Sequence, residues 1–179
     1  DLFNLGNKPF SYNVKFILSD NRSFITRFDN PTGNLDDWYE GCEIGEIWGL
    51  VTEGFFKDQA DIDNHADQWD VTSYPGDRPI EPGDLKYKDL DNNGKINNGS
   101  WTVNDPGDYK VIGNNASRYN YGADFTAEWN GLDFRVLLQG VGKKDWYPES
   151  HYFFGIYRAP WGNVLENNLD HWTPENTDA

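Results

Sequence analysis

The sequence is poor in cysteine, in basic residues and in long apolar runs. Cys42 is the only cysteine among 179 residues, which excludes an intrachain disulfide and a zinc site built from cysteines. Fifteen lysines and arginines stand against 30 acidic residues, and this formal net charge of −15 argues against binding to nucleic-acid phosphates. No apolar run reaches the roughly 18 residues of a membrane-spanning helix, although the half-apolar strands of a membrane barrel need no such run.

Catalytic patterns are also scarce. The three histidines, His65, His151 and His171, are far apart in sequence, and none accompanies a recognisable nucleophile motif. No glycine-rich phosphate loop precedes a helical pattern. Pairs of carboxylates are numerous, but chance pairs are expected in so acidic a chain and define no glycosidase dyad. We therefore expect the protein not to be an enzyme.

The chain does have many aromatic residues, 16 % of the total, and one long alternating stretch. From Tyr119 to Trp129 every second residue is apolar or aromatic, and the alternation resumes at Leu132. A period of two is the pattern of a strand with one apolar face. Asn130-Gly131 lies between the two arms and is the strongest two-residue signal for a type I′ turn. The sequence therefore predicts a β-hairpin.

The two-residue turn also fixes the register of this hairpin. Phe125 lies opposite Val136, Thr126 lies opposite Arg135, and Asp124 becomes a diagonal neighbour of Arg135 on the polar face. Each arm runs about ten residues, which is nearer to the 9–11 of a tilted membrane strand than to the 5–6 of an average soluble strand. Aromatic residues at both ends of the apolar face are typical of a lipid-facing band. A half-buried hairpin of a soluble protein is the alternative.

The rest of the chain gives shorter signals. Residues 10–18 alternate like the hairpin and predict another strand, and Phe24 to Phe28 is a candidate for a short returning strand. The window 36–91 holds 16 acidic and four basic residues, a net charge of −12, so most of the excess charge is concentrated there. Within it, residues 57–70 are a candidate for one short helix. No linker divides the chain into two domains.

A calcium-binding pattern covers Asp89 to Asn97. Oxygen-bearing side chains fall at positions 1, 3, 5 and 9, with glycine at 6 and isoleucine at 8, as in the first nine positions of an EF-hand loop. The candidate ligands are the side chains of Asp89, Asp91, Asn93 and Asn97 and the carbonyl of Lys95. Position 12 is Ser100 instead of glutamate, so Asp105 or Asp108 would have to close the shell. The alternative is a surface turn, rich in asparagine and glycine, without a metal.

Four blocks of the sequence together resemble the SusC/RagA family. They are YEGCEIGEIWGLVTEGFF (39–56), PGDLKYKDLDNNGKIN (82–97), the stretch from DYKVIG to KKDWY (108–147) and LDHWTPENTDA (169–179). The similarity spans roughly residues 10–179. Members of this family are TonB-dependent outer-membrane transporters that import glycans or peptides together with a SusD-like surface lipoprotein.

The resemblance implies an all-β fold, part of a large antiparallel transmembrane β-barrel of 22 strands with a plug and long extracellular loops. Residues 1–179 are then a piece of the C-terminal half of the barrel, with the signal, TonB-contacting and plug segments absent. The expected strands cover about 10–18, 119–129 and 132–141, and the expected extracellular regions cover about 36–118 and 142–179. By the same match, Asp108 closes the calcium shell and residues 98–107 are an insertion.

The function implied by the resemblance is TonB-dependent import in the bacterial outer membrane, without covalent chemistry on the substrate. Its implied partners are a SusD-like lipoprotein, TonB, outer-membrane lipid and a glycan or peptide. Aromatic residues after the hairpin, including Trp146, Tyr147 and Trp161, would contact the substrate or the lipoprotein lid, although packing within the loop is their commoner role. The alternative is a secreted, calcium-stabilised β-sandwich that binds carbohydrate. The two differ in what covers the apolar face of the hairpin.

Overall fold

A computed structural model of the chain describes residues 10–72, 79–147 and 166–177. The strands are β1 (Ser11–Ser19), β2 (Glu46–Gly49), β3 (Thr52–Phe55), β4 (Leu85–Tyr87), β5 (Lys110–Asn114), β6 (Arg118–Trp129) and β7 (Leu132–Lys143). The helices are α1 (Gln59–Asp63), α2 (Trp69–Thr72) and a 3-10 helix at Glu166–Leu169. The described strands form three antiparallel sheets and outnumber the few short helical turns, as expected for a mostly β chain.

The largest sheet has three strands in the order β1-β6-β7. The predicted hairpin register is confirmed, with Phe125 opposite Val136 and Thr126 opposite Arg135. Both residues of the turn, Asn130 and Gly131, have positive φ (54° and 82°), which is the requirement of a type I′ turn. The strand ends differ from the predicted ones by one or two residues.

Pairing of β1 with β6 aligns the side-chain alternation of all three strands. Phe16 lies opposite Ala123 and Val14 opposite Phe125, so the apolar residues of β1 share a face with those of the hairpin. This face, which we call the apolar face, exposes nine large side chains: Tyr12, Val14, Phe16, Leu18, Tyr121, Trp129, Leu132, Phe134 and Leu138. Nine residues from the turn along each arm, the ring of Tyr121 covers Gly140, where any side chain would overlap it.

The opposite, polar face carries the predicted charge pair. The Arg135 guanidinium donates to both carboxylate oxygens of Asp124 at 3.0 and 2.6 Å, and Lys15 is the partner of Asp124 in β1. Three apolar side chains, Ile17, Leu137 and Val141, also lie on this face, which the alternation pattern had assigned to polar residues. The polar face is therefore mixed at its centre.

The segment between β1 and β6 folds into a small unit with its own core. Its fully or nearly buried side chains are Cys42, Phe56, Gln68, Ile96 and Asp108. Two short sheets, β2-β5 and β3-β4, flank this core. The sequence had not predicted these four strands.

Two of the shorter predictions need correction. Residues 57–70 form two short helices instead of one, because the chain between them is extended where Asp67 pairs with Lys95. Asp58 begins α1 by accepting a hydrogen bond from the Asp61 N–H, the usual role of an N-cap. Phe24 to Phe28 is not a strand. It makes a single bridge, from Phe24 to Glu43.

Polar contacts fasten the small unit to the sheet. Asp20, just after β1, pairs with Arg118 at the start of β6. After β7, the Asp145 carboxylate accepts from the Asn114 N–H at 2.8 Å, and the Asp145 N–H donates back to the Asn114 carbonyl at 3.0 Å. The described part of the chain contains no helix with the length and apolar character needed to cross a membrane.

Candidate functional site: an acidic loop with a buried carboxylate

The loop from Asp89 to Asn97 is built around the Asp89 carboxylate. One oxygen accepts the Asn92 N–H at 2.6 Å and the other accepts the Gly94 N–H at 2.8 Å. Asn92 and Gly94 both have positive φ (59° and 83°), so the chain turns sharply around this side chain. The glycine at the sixth position of the pattern therefore does what the sequence predicts, which is to permit the turn.

Asp108 enters the same loop from the far side. Its carboxylate is fully buried and accepts the N–H groups of Leu90 (2.7 Å) and Asn97 (2.9 Å). The Asp108 N–H in turn donates to the Asn97 carbonyl at 2.9 Å. Asn97 and Asp108 thus form the base of the 98–107 excursion. Their hydrogen bonds bring Asp108 next to the acidic loop, which ends eleven positions earlier in the chain.

The structure brings three of the predicted ligands together. One carboxylate oxygen each from Asp89, Asp91 and Asp108 lies within 4.8 Å of the other two. Lys95, the cation inside the loop sequence, pairs instead with Asp70 at 2.7 Å. Three converging carboxylates without a cation among them repel one another, and a hard divalent cation such as Ca²⁺ would relieve this repulsion.

The protonation state of Asp89 fits this interpretation. Burial alone would raise the pKa of its carboxyl, but hydrogen bonds from the Gly94 and Asn92 N–H groups outweigh that effect and lower the pKa below its ordinary value. The group is therefore charged at neutral pH, as a calcium ligand has to be.

The two predicted amide ligands are engaged within the loop. The Asn93 side-chain oxygen accepts the Lys95 N–H at 2.8 Å, and the Asn97 side-chain oxygen accepts the Gly99 N–H at 2.6 Å. Each amide oxygen keeps a second lone pair, so these hydrogen bonds do not consume their capacity to bind a metal. The carbonyl of Lys95, the fifth predicted ligand, accepts from the Asn97 amide at 3.4 Å.

Between the two candidates for closing the shell, the geometry favours Asp108 over Asp105. The Asp105 carboxylate accepts both the N–H (2.9 Å) and the hydroxyl (2.6 Å) of Ser100, inside the 98–107 excursion. These hydrogen bonds from Ser100 lower the pKa of the Asp105 carboxyl, so its charged form is stabilised by contacts within the 98–107 excursion. Asp108 is the one that joins Asp89 and Asp91.

A neighbouring segment that the sequence pattern had not identified holds the loop in place. The Ile96 N–H donates to the Asp67 carbonyl at 2.7 Å, and the Asp67 N–H donates to the Gly94 carbonyl at 3.0 Å. The Ile96 side chain is completely buried beneath this bridge. The isoleucine at the eighth position therefore anchors the loop to the core of the small unit.

The aromatic residues proposed to contact substrate or lid lie elsewhere. Trp146 and Tyr147 lie three and four residues after the end of β7, and both are well exposed. Trp161 lies outside the described residues.

Comparison with known proteins adds no family assignment. The chain matches none of the models of known protein families, and a search of curated proteins finds no similar sequence.

Proposed function

We propose that this chain is part of the wall and the outer loops of a TonB-dependent outer-membrane barrel that imports glycans or peptides. The observation that carries the proposal is the apolar face of the β1-β6-β7 sheet. Its nine large side chains remain open, with exposed fractions of 79 % at Phe16, 72 % at Leu18 and 68 % at Leu132.

The size of this face supports contact with lipid. If each of the nine side chains exposes on the order of 100 Å², the face presents roughly 900 Å² of apolar surface, against a few hundred on a typical soluble monomer. Strands of 12 residues in β6 and β7 are also long enough to cross a bilayer at a tilt. An apolar face of this length and area matches a lipid-facing wall.

The two ends of the sheet differ in the way that outer-membrane barrels differ across the bilayer. β6 and β7 are joined by the two-residue turn Asn130-Gly131, as expected of the periplasmic side. At the other end lies the small unit between β1 and β6, which is rich in acidic residues, as expected of long extracellular loops. Arg135 and Asp124 pair on the opposite, polar face, which would line the lumen.

Calcium is the structural cofactor in this proposal. Asp89, Asp91 and Asp108 would hold one Ca²⁺ on the outer side, with Asn93, Asn97 and the Lys95 carbonyl completing the oxygen shell. The fully buried position of Asp108 is the observation in its favour, because a buried carboxylate beside two others is stabilised by a cation. Extracellular calcium modules bind in the range of about 10⁻⁴–10⁻³ M, which suits a structural ion outside the cell.

The partners follow from the same proposal. A SusD-like lipoprotein would cover the outer loops, with Trp146 and Tyr147 among the exposed aromatic residues available to it. TonB is the second partner in the same proposal. A secreted carbohydrate-binding sandwich would instead need a second sheet against the apolar face. Among the described elements, close contacts join only paired strands, so no observation favours the sandwich.

The test is the behaviour of the full-length protein in membranes. We expect it to remain in the outer-membrane fraction after salt and alkaline washing, and to require detergent for extraction. In the extract it should migrate differently on electrophoresis before and after heating, as folded barrels do. Recovery as a soluble monomer without detergent would refute the barrel and leave the secreted sandwich as the function to test.

A further inference from the structure

A second feature, separate from the acidic loop and from the sheet, is a cleft between the 35–48 segment and the end of β5. Its volume is about 400 Å³, within the range of small-ligand sites. Its described lining includes Asp36, Asp37, Trp38, Tyr39, Glu46, Trp48 and Asn115. Three of them are aromatic, three are acidic and none is basic.

One wall of the cleft is a fixed hydrogen-bonded chain. The Tyr39 hydroxyl donates to one oxygen of the Glu46 carboxylate at 2.5 Å. The other Glu46 oxygen accepts the Glu43 N–H at 2.9 Å. This wall is held in place before any ligand arrives.

The rim of the cleft at Asp36, Asp37 and Trp38 is open and negatively charged. Trp38 leaves 43 % of its surface exposed, and its backbone carbonyl is held by the Asn30 amide at 3.2 Å. Asp36 uses one carboxylate oxygen to accept the Trp101 indole N–H at 2.7 Å, which leaves its other oxygen for a ligand. The Asp37 carboxylate is exposed and accepts no hydrogen bond from the described residues.

From this arrangement we infer that the cleft binds the basic side chain of a peptide, with an arginine guanidinium as the best fit. A cation is attracted to the face of an exposed tryptophan, and a planar guanidinium also forks onto carboxylate oxygens. The described lining offers acceptors from Asp36 and Asp37 as well as the Trp38 ring, and it contains no cation that would compete. An anionic ligand is repelled, and a neutral one leaves the charge of the rim uncompensated.

The test measures binding to the purified full-length protein by ligand-observed NMR. The probe is Nα-acetyl-arginine amide, and its matched control is Nα-acetyl-citrulline amide, which has nearly the same shape but no charge. We expect saturable binding of the arginine probe, much weaker binding of the citrulline probe, and a loss of affinity as salt is raised. Binding is read directly, so the result is independent of whether the protein transports anything.

Substitutions assign the binding to the cleft. Trp38→Ala and Asp37→Asn should each weaken the arginine probe by about two- to fivefold, since each removes one partly exposed contact. Trp69→Ala, at an exposed tryptophan on α2, and Asp29→Asn, at an exposed acid outside the cleft, should leave the affinity unchanged. Because the Asp37 carboxylate is exposed and accepts no hydrogen bond from the described residues, Asp37→Asn should fold normally even if Trp38→Ala does not.

Three results would overturn the inference. They are equal binding of the arginine and citrulline probes, unchanged affinity in both cleft variants, and absence of arginine binding altogether. Binding of neutral malto-oligosaccharides that displaces the probe and survives Asp37→Asn would assign the cleft to sugars instead.

Discussion

The apolar and polar faces of the sheet can be separated by two substitutions at neighbouring residues. Phe16 and Ile17 follow each other in β1, and both are more than half exposed, at 79 % and 53 %. Phe16 points to the apolar face, opposite Ala123, whereas Ile17 points to the polar face, opposite Gly122. Phe16→Arg and Ile17→Arg therefore place the same charge at nearly the same depth on opposite sides of one strand.

The expected costs differ because only one face contacts lipid in the proposed barrel. Phe16 lies near the middle of β1, and an arginine facing lipid near the bilayer midplane costs about 2–4 kcal/mol. The lost phenylalanine adds to this: about 160 Å² of exposed ring, from an area of roughly 200 Å², corresponds to about 4 kcal/mol at 25 cal/mol per Å². We expect Phe16→Arg to cost at least about 2 kcal/mol, since the arginine can reach toward the headgroups.

Ile17→Arg should cost less than about 1 kcal/mol, because its side chain would extend into a wet lumen, where its near neighbours are the like charge of Lys15 in β1 and the opposite charge of Asp124 in β6. The measurement is a urea titration of the full-length protein folded into phospholipid vesicles, followed by tryptophan fluorescence. The fraction of heat-modifiable protein in outer membranes is a second readout. Equal costs for the two variants, or a larger cost for Ile17→Arg, would show that the apolar face does not contact lipid.

Three further predictions concern the loops. Calcium at about 10 mM should stabilise the protein by about 1–3 kcal/mol over its chelator-treated form, read as a rise in Tm. Asp89→Asn should abolish this rise, whereas Asp63→Asn, on α1, should preserve it. A Tm independent of calcium would contradict the site. Burial raises the pKa of the Cys42 thiol. A disulfide reagent should therefore modify Cys42 at least about tenfold more slowly in the folded chain than in the unfolded chain. Equal rates in the two states would refute its burial. The Arg118 side chain holds the pKa of Asp20 at about 2, below its usual 3.8. The stability that this pair contributes is therefore complete above about pH 4 and is lost as the pH falls toward 2. Asp20→Asn should flatten the dependence of the unfolding free energy on pH in that window. If the variant instead keeps the pH dependence of the wild type, the acid sensitivity originates elsewhere.

The hairpin and its register could be predicted from sequence because their signals are local. Alternation from Tyr119 onward and the Asn130-Gly131 turn both act within about 25 residues, and a slip of one position would move every apolar side chain to the wrong face. The acidic loop is local in the same way. Its glycine, Gly94, and its first acid, Asp89, take the positions that the pattern assigns to them.

The parts that could not be predicted depend on partners distant in sequence. β2 pairs with β5 more than 60 residues later, with Glu46 opposite Asn114 and a register shift after Ile47, so no short window contains the signal. The choice of Asp108 over Asp105 depends on how the 98–107 excursion closes. The aromatic cleft was missed for the same reason, because Asn115 joins the 35–48 segment only when β5 pairs with β2.

The 98–107 excursion has two attachments with different consequences for engineering. At its base, Asn97 and Asp108 are hydrogen-bonded to each other. Because this base is closed, the excursion can be lengthened or replaced without moving the buried Asp108 carboxylate. The entropic cost of a longer loop is small. At its tip, the Trp101 indole donates to Asp36 on the rim of the cleft. A replacement loop that omits this tryptophan would leave the Asp36 side chain free to rotate. A graft designed to leave the acidic loop intact would therefore still alter ligand binding at the cleft, 65 positions away in the chain.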